Sequence, residues 1–320
     1  MGRVLVSASH YNDLCQKAKY LLESNGHEVI YDESREFPAY SAEELKVVLQ
    51  DIDAAIVGMD LYNEEIFSHA PRLKAVAKFG VGVDNIDCDA ASRHGVKVIN
   101  APGQNSNAVA ELTVALIICV CRSVIPINRA IEEGVWMRAV GEEIKGKTVG
   151  LIGFGAIAQM VAEKLRMFQA NVIACDLQTD HARAVELGVR MTNMDEVTVS
   201  SDVVSLHIPS GPETYHLFDE ARLRSMKKGA YLINTARGDL VDINALARAL
   251  NDGHLRGAAL DAFETEPLPK ESPILNCGNV ICTPHTGSET REAYENVSIS
   301  TAKDVIAVLN GEEPRFWVNR

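Results

Sequence analysis

The stretch from Lys147 to Asp176, KTVGLIGFGAIAQMVAEKLRMFQANVIACD, decides the fold. An apolar, β-branched run enters Gly153-Phe154-Gly155-Ala156-Ile157-Ala158. A glycine-free helical stretch follows at once, and a second β-branched run ends on Asp176. Each small residue has a physical task. Gly153 permits the tight strand-to-helix turn, Gly155 lets the backbone approach a pyrophosphate at the positive end of the helix, and Ala158 is small enough for helix–strand packing. Asp176 would accept both ribose hydroxyls of NAD and repel the 2′-phosphate of NADP, and no arginine stands at 177–179 to receive one. The bland alternatives are a glycine turn without a ligand and an N-cap role for Asp176. A bare GxGxxG pattern is weak. The strand, helix, second strand and terminal acid around it make this one a dinucleotide site.

Outward from this unit the same alternation runs both ways. Downstream, strands are expected at 202–207, 230–235, 257–263 and 279–283, with helices at 156–168, 180–187 and 242–251. Upstream, short apolar runs at 3–7, 28–31, 54–58, 75–79 and 96–100 alternate with helical stretches at 11–24, 42–50 and 63–70. The fold class is therefore α/β, with two doubly wound parallel sheets. The glycine-free run from Asn107 to about Arg129 reads as one long helix ended near Pro126. The last stretch, 289–310, reads as an amphipathic helix closed by Gly311.

Composition narrows the function. The 320 residues are 47% hydrophobic and 23% charged, with a net charge of -13, which disfavours nucleic acid as a partner. Seven cysteines, an odd number, lie mostly in apolar runs and read as reduced thiols of a cytoplasmic protein. The Cys119-x-Cys121 pair has no second ligand pair at zinc spacing, so no metal is expected. The N-terminus does not read as a signal peptide, and Leu112 to Cys121 is too short to span a bilayer, so no membrane partner is expected.

Three polar side chains leave the carboxyl ends of expected strands in the domain that carries the glycine turn: Arg237 in LINTARGDLVD, Glu266 in DAFETEP and His285 in TPHTG. In a doubly wound sheet those ends face the ligand crevice. Each has a bland alternative. Arg237 could pair with Asp239 or Asp242, Glu266 could be a solvated loop carboxylate, and His285 could be a satisfied structural histidine. Reduction of a 2-oxo acid puts hydride on carbon and charge on oxygen, so a proton donor and a fixed cation suit that chemistry.

Linked stretches carry a resemblance over essentially the full length: FGVGVDNID (79–87), NAPGQNSNAVAELTVAL (100–116), GKTVGLIGFGAIA (146–158), DVVSLHIPSGPET (202–214), LINTARGDLVD (232–242), GAALDAFETEP (257–267) and TPHTGS (283–288). The chain resembles the D-isomer-specific 2-hydroxyacid dehydrogenase family, in its phosphoglycerate-dehydrogenase-like branch. The resemblance implies a Rossmann NAD domain, residues 101–288, inserted into a flavodoxin-like substrate domain, residues 1–100 and 289–320. It implies an active site between the two, and a homodimer formed through the segment from 107 to 146. His285 would be the acid/base, Glu266 its partner, and Arg237 the binder of the substrate carboxylate. Backbone N–H groups around Gly80, Val81 and Gly82, with Lys78 nearby, would hold the other side of the substrate. Gly153, Gly155, Ala156, Ile157 and Asp176 would face pyrophosphate and ribose, and His207, Pro209 and Thr214 the adenosine. Thr235, Ala236 and Asp261 would flank the nicotinamide, Asp261 by bonding its carboxamide.

Departures from the branch bear on the substrate. Where phosphoglycerate dehydrogenases carry a phosphate-binding arginine after the third strand, this chain has Gly58, Met59 and Asp60, and Lys78 stands where an arginine is usual. The chain also offers no room for a C-terminal regulatory domain. A small or apolar 2-oxo acid such as glyoxylate, hydroxypyruvate or pyruvate is the expected substrate. The alternatives are D-3-phosphoglycerate and, from another class, a non-enzymatic NAD-sensing protein resembling transcriptional corepressors. The long tail common in those is not expected here. Glu266, where the formate branch carries a glutamine, argues against formate.

Overall fold

A computed structural model describes residues 1–35 and 40–320. The chain divides into two compact units, Met1–Asn105 with Ser288–Arg320, and Ser106–Gly287. Every strand pair in both is parallel, so the fold is α/β with two parallel sheets, as the sequence predicts.

The first unit holds β1 (Arg3–Val6), β2 (Glu28–Ile30), β3 (Ala54–Val57), β4 (Ala75–Lys78) and β5 (Lys97–Ile99), in the order β2-β1-β3-β4-β5. That is the flavodoxin-like order. A sheet covered on both faces needs strands without polar alternation, and β3 and β4 are buried at every residue. One face packs Leu5, Val57, Tyr62 and Phe67, and the other packs Val4, Ile56, Tyr294 and Val305. Burying one such side chain contributes roughly 1.5–3 kcal/mol. The helix Arg291–Leu309 is capped by Thr290, whose side chain accepts the Ala293 N–H, and Gly311 follows its end with φ of 84°. It is less one-sided than an amphipathic stripe. Ser298, Ser300, Thr301 and Asp304 are buried with the apolar residues, and Arg315 reaches Ser300 Oγ at 2.9 Å.

The second unit holds β6 (Thr148–Ile152), β7 (Asn171–Cys175), β8 (Arg190–Met191), β9 (Val203–Leu206), β10 (Tyr231–Asn234), β11 (Gly257–Leu260) and β12 (Val280–Cys282). Their order is β12-β11-β10-β9-β6-β7-β8. The chain winds one way from β6 through β8 and the other way from β9 through β12. The switch point therefore lies between β6 and β9, where open α/β sheets bind ligands.

Three expectations need correction. The run 107–129 is two helices, Ser106–Cys121 and Val124–Glu132, bent by 66° at Ser123, which is left-handed with φ of 50°. Pro126 does not end a helix; it sits in the first turn of the second one, where a missing N–H costs nothing. The stretch 11–24 is likewise two helices, Tyr11–Leu14 and Gln16–Ser24, and β11 stops at Leu260 rather than Phe263. No single described helix is long and apolar enough to cross a membrane.

Candidate active site

The turn after β6 is built as its residues demand. Gly153 has φ of 95°, and a Cβ there would lie 2.5 Å from the His207 carbonyl oxygen at the end of β9. Glycine is thus required on both conformational and steric grounds. Gly155 has no atom within 4 Å of the place a Cβ would take, so the space above the backbone is open. It precedes the helix Ala156–Met167, whose N-cap makes no side-chain bond. Ile157 stands in the first turn, and Ala158 is fully buried beneath it. Open N–H groups at a helix N-terminus beside an unobstructed glycine fit a pyrophosphate.

Asp176 follows β7 and is exposed. Its carboxylate accepts the Phe154 N–H at 2.6 Å and the Gln178 N–H at 2.8 Å. Asp180, not Asp176, caps the next helix, accepting the Arg183 N–H. The acid at the strand end is therefore tied to the glycine turn itself. Across the switch point, His207 Nε2 lies 2.9 Å from Ser205 Oγ. The ring is half-buried by surface area, and desolvation pushes its pKa down to about 4, so it is neutral at ordinary pH. Thr214 Oγ1 donates to the Pro209 carbonyl at 3.0 Å, closing the loop that follows.

Three further loops leave the same carboxyl edge. After β10, the buried side chain of Asn234 spans the turn, donating to the Arg237 carbonyl at 2.7 Å and accepting the Ala236 N–H at 3.0 Å. Thr235 Oγ1 meets the buried Thr113 Oγ1 at 2.8 Å. Arg237 is extended and donates through Nη1 to the Ala236 carbonyl at 2.9 Å. The carboxylates first considered as its partners have other bonds: Asp239 accepts Ser210 Oγ, and Asp242 caps the helix Ile243–Asn251. Asn234 went unremarked in the sequence. Its signal is a polar residue closing an otherwise apolar strand.

After β11 comes the Glu266 loop, and after β12 the His285 loop. His285 Nδ1 lies 2.9 Å from Glu266 Oε2 and 3.1 Å from Oε1, and Glu266 Oε1 also accepts the Phe263 N–H at 2.9 Å. Burial pushes the Glu266 carboxyl up. The hydrogen bonds from His285 and Phe263, with the charges of His285 and Arg237, more than offset that, and its pKa is lowered overall. The His285 side chain keeps 41% of its surface exposed, so the ring is both partnered and reachable. Gly238 lets the loops meet: a Cβ there would fall 1.9 Å from the Phe263 carbonyl carbon. The carboxylate of Asp261, assigned by resemblance to the nicotinamide, accepts bonds from Thr283, Thr286 and Gly287 of the His285 loop.

In the first unit, Lys78 ends β4. Its ammonium donates to the Gly58 carbonyl at 2.6 Å and to Asn85 Oδ1 at 2.8 Å, and it is buried. Asn85 in turn donates to the Asp60 carbonyl at 2.7 Å, and the buried Asp60 carboxylate accepts Ser7 Oγ and the Tyr40 N–H. Lys78 thus braces the 58–60 loop. Gly80 has φ of 153° and its carbonyl accepts the Ala101 N–H at 2.8 Å; the Val81 carbonyl accepts Asn100 Nδ2 at 2.8 Å. Among the described residues no group of three or more His, Cys, Asp or Glu side chains could hold a metal ion.

A dinucleotide turn at the switch point, with a histidine–carboxylate pair and an arginine on the same sheet edge, defines a nicotinamide-dependent oxidoreductase. Comparison with known proteins narrows the class. The profile of the D-isomer specific 2-hydroxyacid dehydrogenase, NAD binding domain, matches residues 114–287. A glyoxylate reductase of Thermofilum pendens is 40% identical over 92% of this chain and 88% of its own length. A D-3-phosphoglycerate dehydrogenase of Mycobacterium tuberculosis is also 40% identical over 84% of this chain, which spans only 52% of that protein. The crystal structure of a Thermus thermophilus protein, 36% identical, superposes with a TM-score of 0.90 over 99% of both chains. The chain belongs to the D-isomer-specific 2-hydroxyacid dehydrogenase family. It is an NAD-dependent enzyme that transfers a hydride between NAD(H) and a 2-hydroxy acid/2-oxo acid pair.

Proposed function

We propose that the enzyme interconverts a small 2-oxo acid of the glyoxylate, hydroxypyruvate or pyruvate type and the matching D-2-hydroxy acid. The observation that carries the chemistry is the His285–Glu266 pair at 2.9 Å, on the edge that also bears Arg237. Bound NADH supplies the hydride, held by Gly155, Ala156, Ile157 and Asp176 at its pyrophosphate and ribose. His207, Pro209 and Thr214 would take its adenosine side, and Thr235, Ala236 and Asp261 would lie along its nicotinamide. Arg237 grips the substrate carboxylate through its planar fork and polarises the carbonyl. The Gly80 N–H, expected to face the substrate, instead donates to the Lys78 carbonyl at 2.9 Å. In reduction His285, as the imidazolium, gives its proton to the oxygen that gains charge. In oxidation the neutral ring takes the proton from the hydroxyl. Glu266, ionised at neutral pH, orients the ring and favours the cation.

The preference for a small acid rests on the first unit. The 58–60 loop offers no cation, the Asp60 carboxylate is buried in it, and the Lys78 ammonium is bonded to Gly58 and Asn85. The name of the Thermofilum relative agrees. D-3-phosphoglycerate is the second reading, favoured by the identity with the Mycobacterium protein. NADH oxidation should be followed with glyoxylate, hydroxypyruvate, pyruvate and 3-phosphohydroxypyruvate. Best turnover on one of the first three supports the proposal, and best turnover on the phosphorylated acid replaces it. NADH binding without turnover of any would favour a sensing role.

We also propose a cytoplasmic homodimer that binds neither nucleic acid nor membrane. All seven cysteines are free thiols, and burial pushes Cys15 and Cys282 up to about 11. The net charge of -13 opposes a polyanion. Val124, Ile131, Trp136 and Met137 line an open groove of about 500 Å³, with Trp136 85% exposed. Apolar surface of that kind marks an interface, and light scattering at micromolar concentration tests the dimer.

A further inference from the structure

Asp261 stands one residue past β11 and is 2% exposed. Among the described residues, the four hydrogen bonds its carboxylate accepts all come from one five-residue stretch. Oδ1 takes Thr283 Oγ1 at 2.6 Å, the Thr286 N–H at 2.8 Å and Thr286 Oγ1 at 3.2 Å. Oδ2 takes the Gly287 N–H at 2.8 Å. The donors flank His285 on both sides. That residue has φ of 54°, a left-handed conformation that a side-chain-bearing residue adopts only when its surroundings impose it. Gly287 is small for the same reason, since a Cβ there would lie 3.0 Å from Asp261 Oδ2.

We infer that Asp261 is a positioning residue for proton transfer: a buried carboxylate that clamps residues 283–287 and so holds the His285 ring on Glu266. The inference rests on His285 being the proton carrier. It gives Asp261 a task beyond the nicotinamide contact expected by resemblance. An ionised carboxylate has about four acceptor sites, and four donors already converge on this one. An amide in its place would turn an NH2 group toward at least one of those donors. Charge-assisted bonds are also the stronger kind, which suits a loop that must keep a strained residue still.

The test uses the whole enzyme and Thr283, whose hydroxyl bonds Asp261 at 2.6 Å. Thr283→Val removes the donor and keeps the shape, Thr283→Ser keeps the donor, and Asp261→Asn weakens the clamp directly. Steady-state reduction of the preferred 2-oxo acid and NADH affinity by fluorescence are measured for each, with folding checked by circular dichroism. Thr283→Val should lower kcat about tenfold and Asp261→Asn about 10²-fold, the scale on which small misplacements act. In Thr283→Val the NADH Kd should stay within about twofold, Thr283→Ser should restore kcat, and the double variant should be no slower than Asp261→Asn alone. A native kcat in Thr283→Val overturns the inference, as does an Asp261→Asn enzyme with normal kcat and weakened NADH binding. If Asp261→Asn fails to fold, the valine–serine pair at 283 decides alone. Native protein that turns over no 2-oxo acid overturns the reading of His285 itself, and the inference with it.

Discussion

Gly238→Ala is the sharpest structural perturbation of the site, because it adds one methyl group where two catalytic loops touch. The new Cβ would lie 1.9 Å from the Phe263 carbonyl carbon, 2.2 Å from the Glu264 nitrogen and 2.3 Å from Phe263 Cα. These are backbone atoms, so no rotamer relieves the clash. Reaching an ordinary contact of 3.4 Å requires the loops to part by about 1.5 Å. The separation falls between Arg237 and Glu266, the groups that grip the substrate and orient the acid. A misplacement of about 1 Å can cost 10²-fold in rate, so kcat/KM should fall by about 10²-fold or more. Overpacking costs about 1–3 kcal/mol, which lowers Tm by roughly 2–12 °C in a unit of this size. NADH affinity should hold, since the glycine turn after β6 is untouched. Gly278→Ala is the control: no atom lies within 4 Å of its Cβ position and its φ is not positive. The assay is NADH-dependent reduction, with fluorescence titration of NADH and a thermal melt. A Gly238→Ala enzyme within about threefold of native kcat/KM would refute the claim that the two loops must meet this closely.

Other outcomes follow from the same geometry. Arg237→Lys keeps the charge but loses the fork, so kcat/KM should drop at least about tenfold on the best 2-oxo acid, checked by steady-state kinetics. Glu266→Gln replaces the carboxylate that His285 Nδ1 meets at 2.9 Å, so kcat should fall about tenfold or more in both directions, read by steady-state kinetics. Because the Glu266 pKa is lowered on folding, its stabilising contribution is complete above the ordinary glutamate value of about 4.3. It is lost as pH falls through the folded value, and acid unfolding of wild type against Glu266→Gln measures it. Asp176→Ala should weaken NAD binding and improve the relative use of NADP, and should also loosen the turn it holds through the Phe154 N–H. Parallel titration with both cofactors reads this out.

The sheet-forming runs were legible because each strand buried on two faces is apolar throughout or nearly so, as β3, β9 and β10 are. The glycine turn was legible because its requirements are local: a tight turn, a close approach and a small residue at fixed offsets. β8 was not, since Arg190–Met191 is only two residues at a sheet edge. Nor was the bend at Ser123, because a left-handed serine leaves no mark on the periodicity around it. His285, Glu266 and Arg237 could be picked out as polar residues after apolar strands. The work of Asp261 and Asn234 could not, because it depends on which loops the strand order makes neighbours. Lys78 illustrates the same limit. Its charge is plain in the sequence, but the carbonyl and amide that receive it stand 20 and 7 residues away.

The most direct test of the whole account is His285→Ala, assayed for single-turnover and steady-state reduction of the preferred 2-oxo acid, with NADH affinity measured alongside. A positioned acid/base contributes on the order of 10² to 10⁴. The account therefore predicts a turnover lower by that factor and an NADH affinity close to native. A variant that keeps turnover within about threefold of native, on that same scale, would contradict it and return His285 to a structural role.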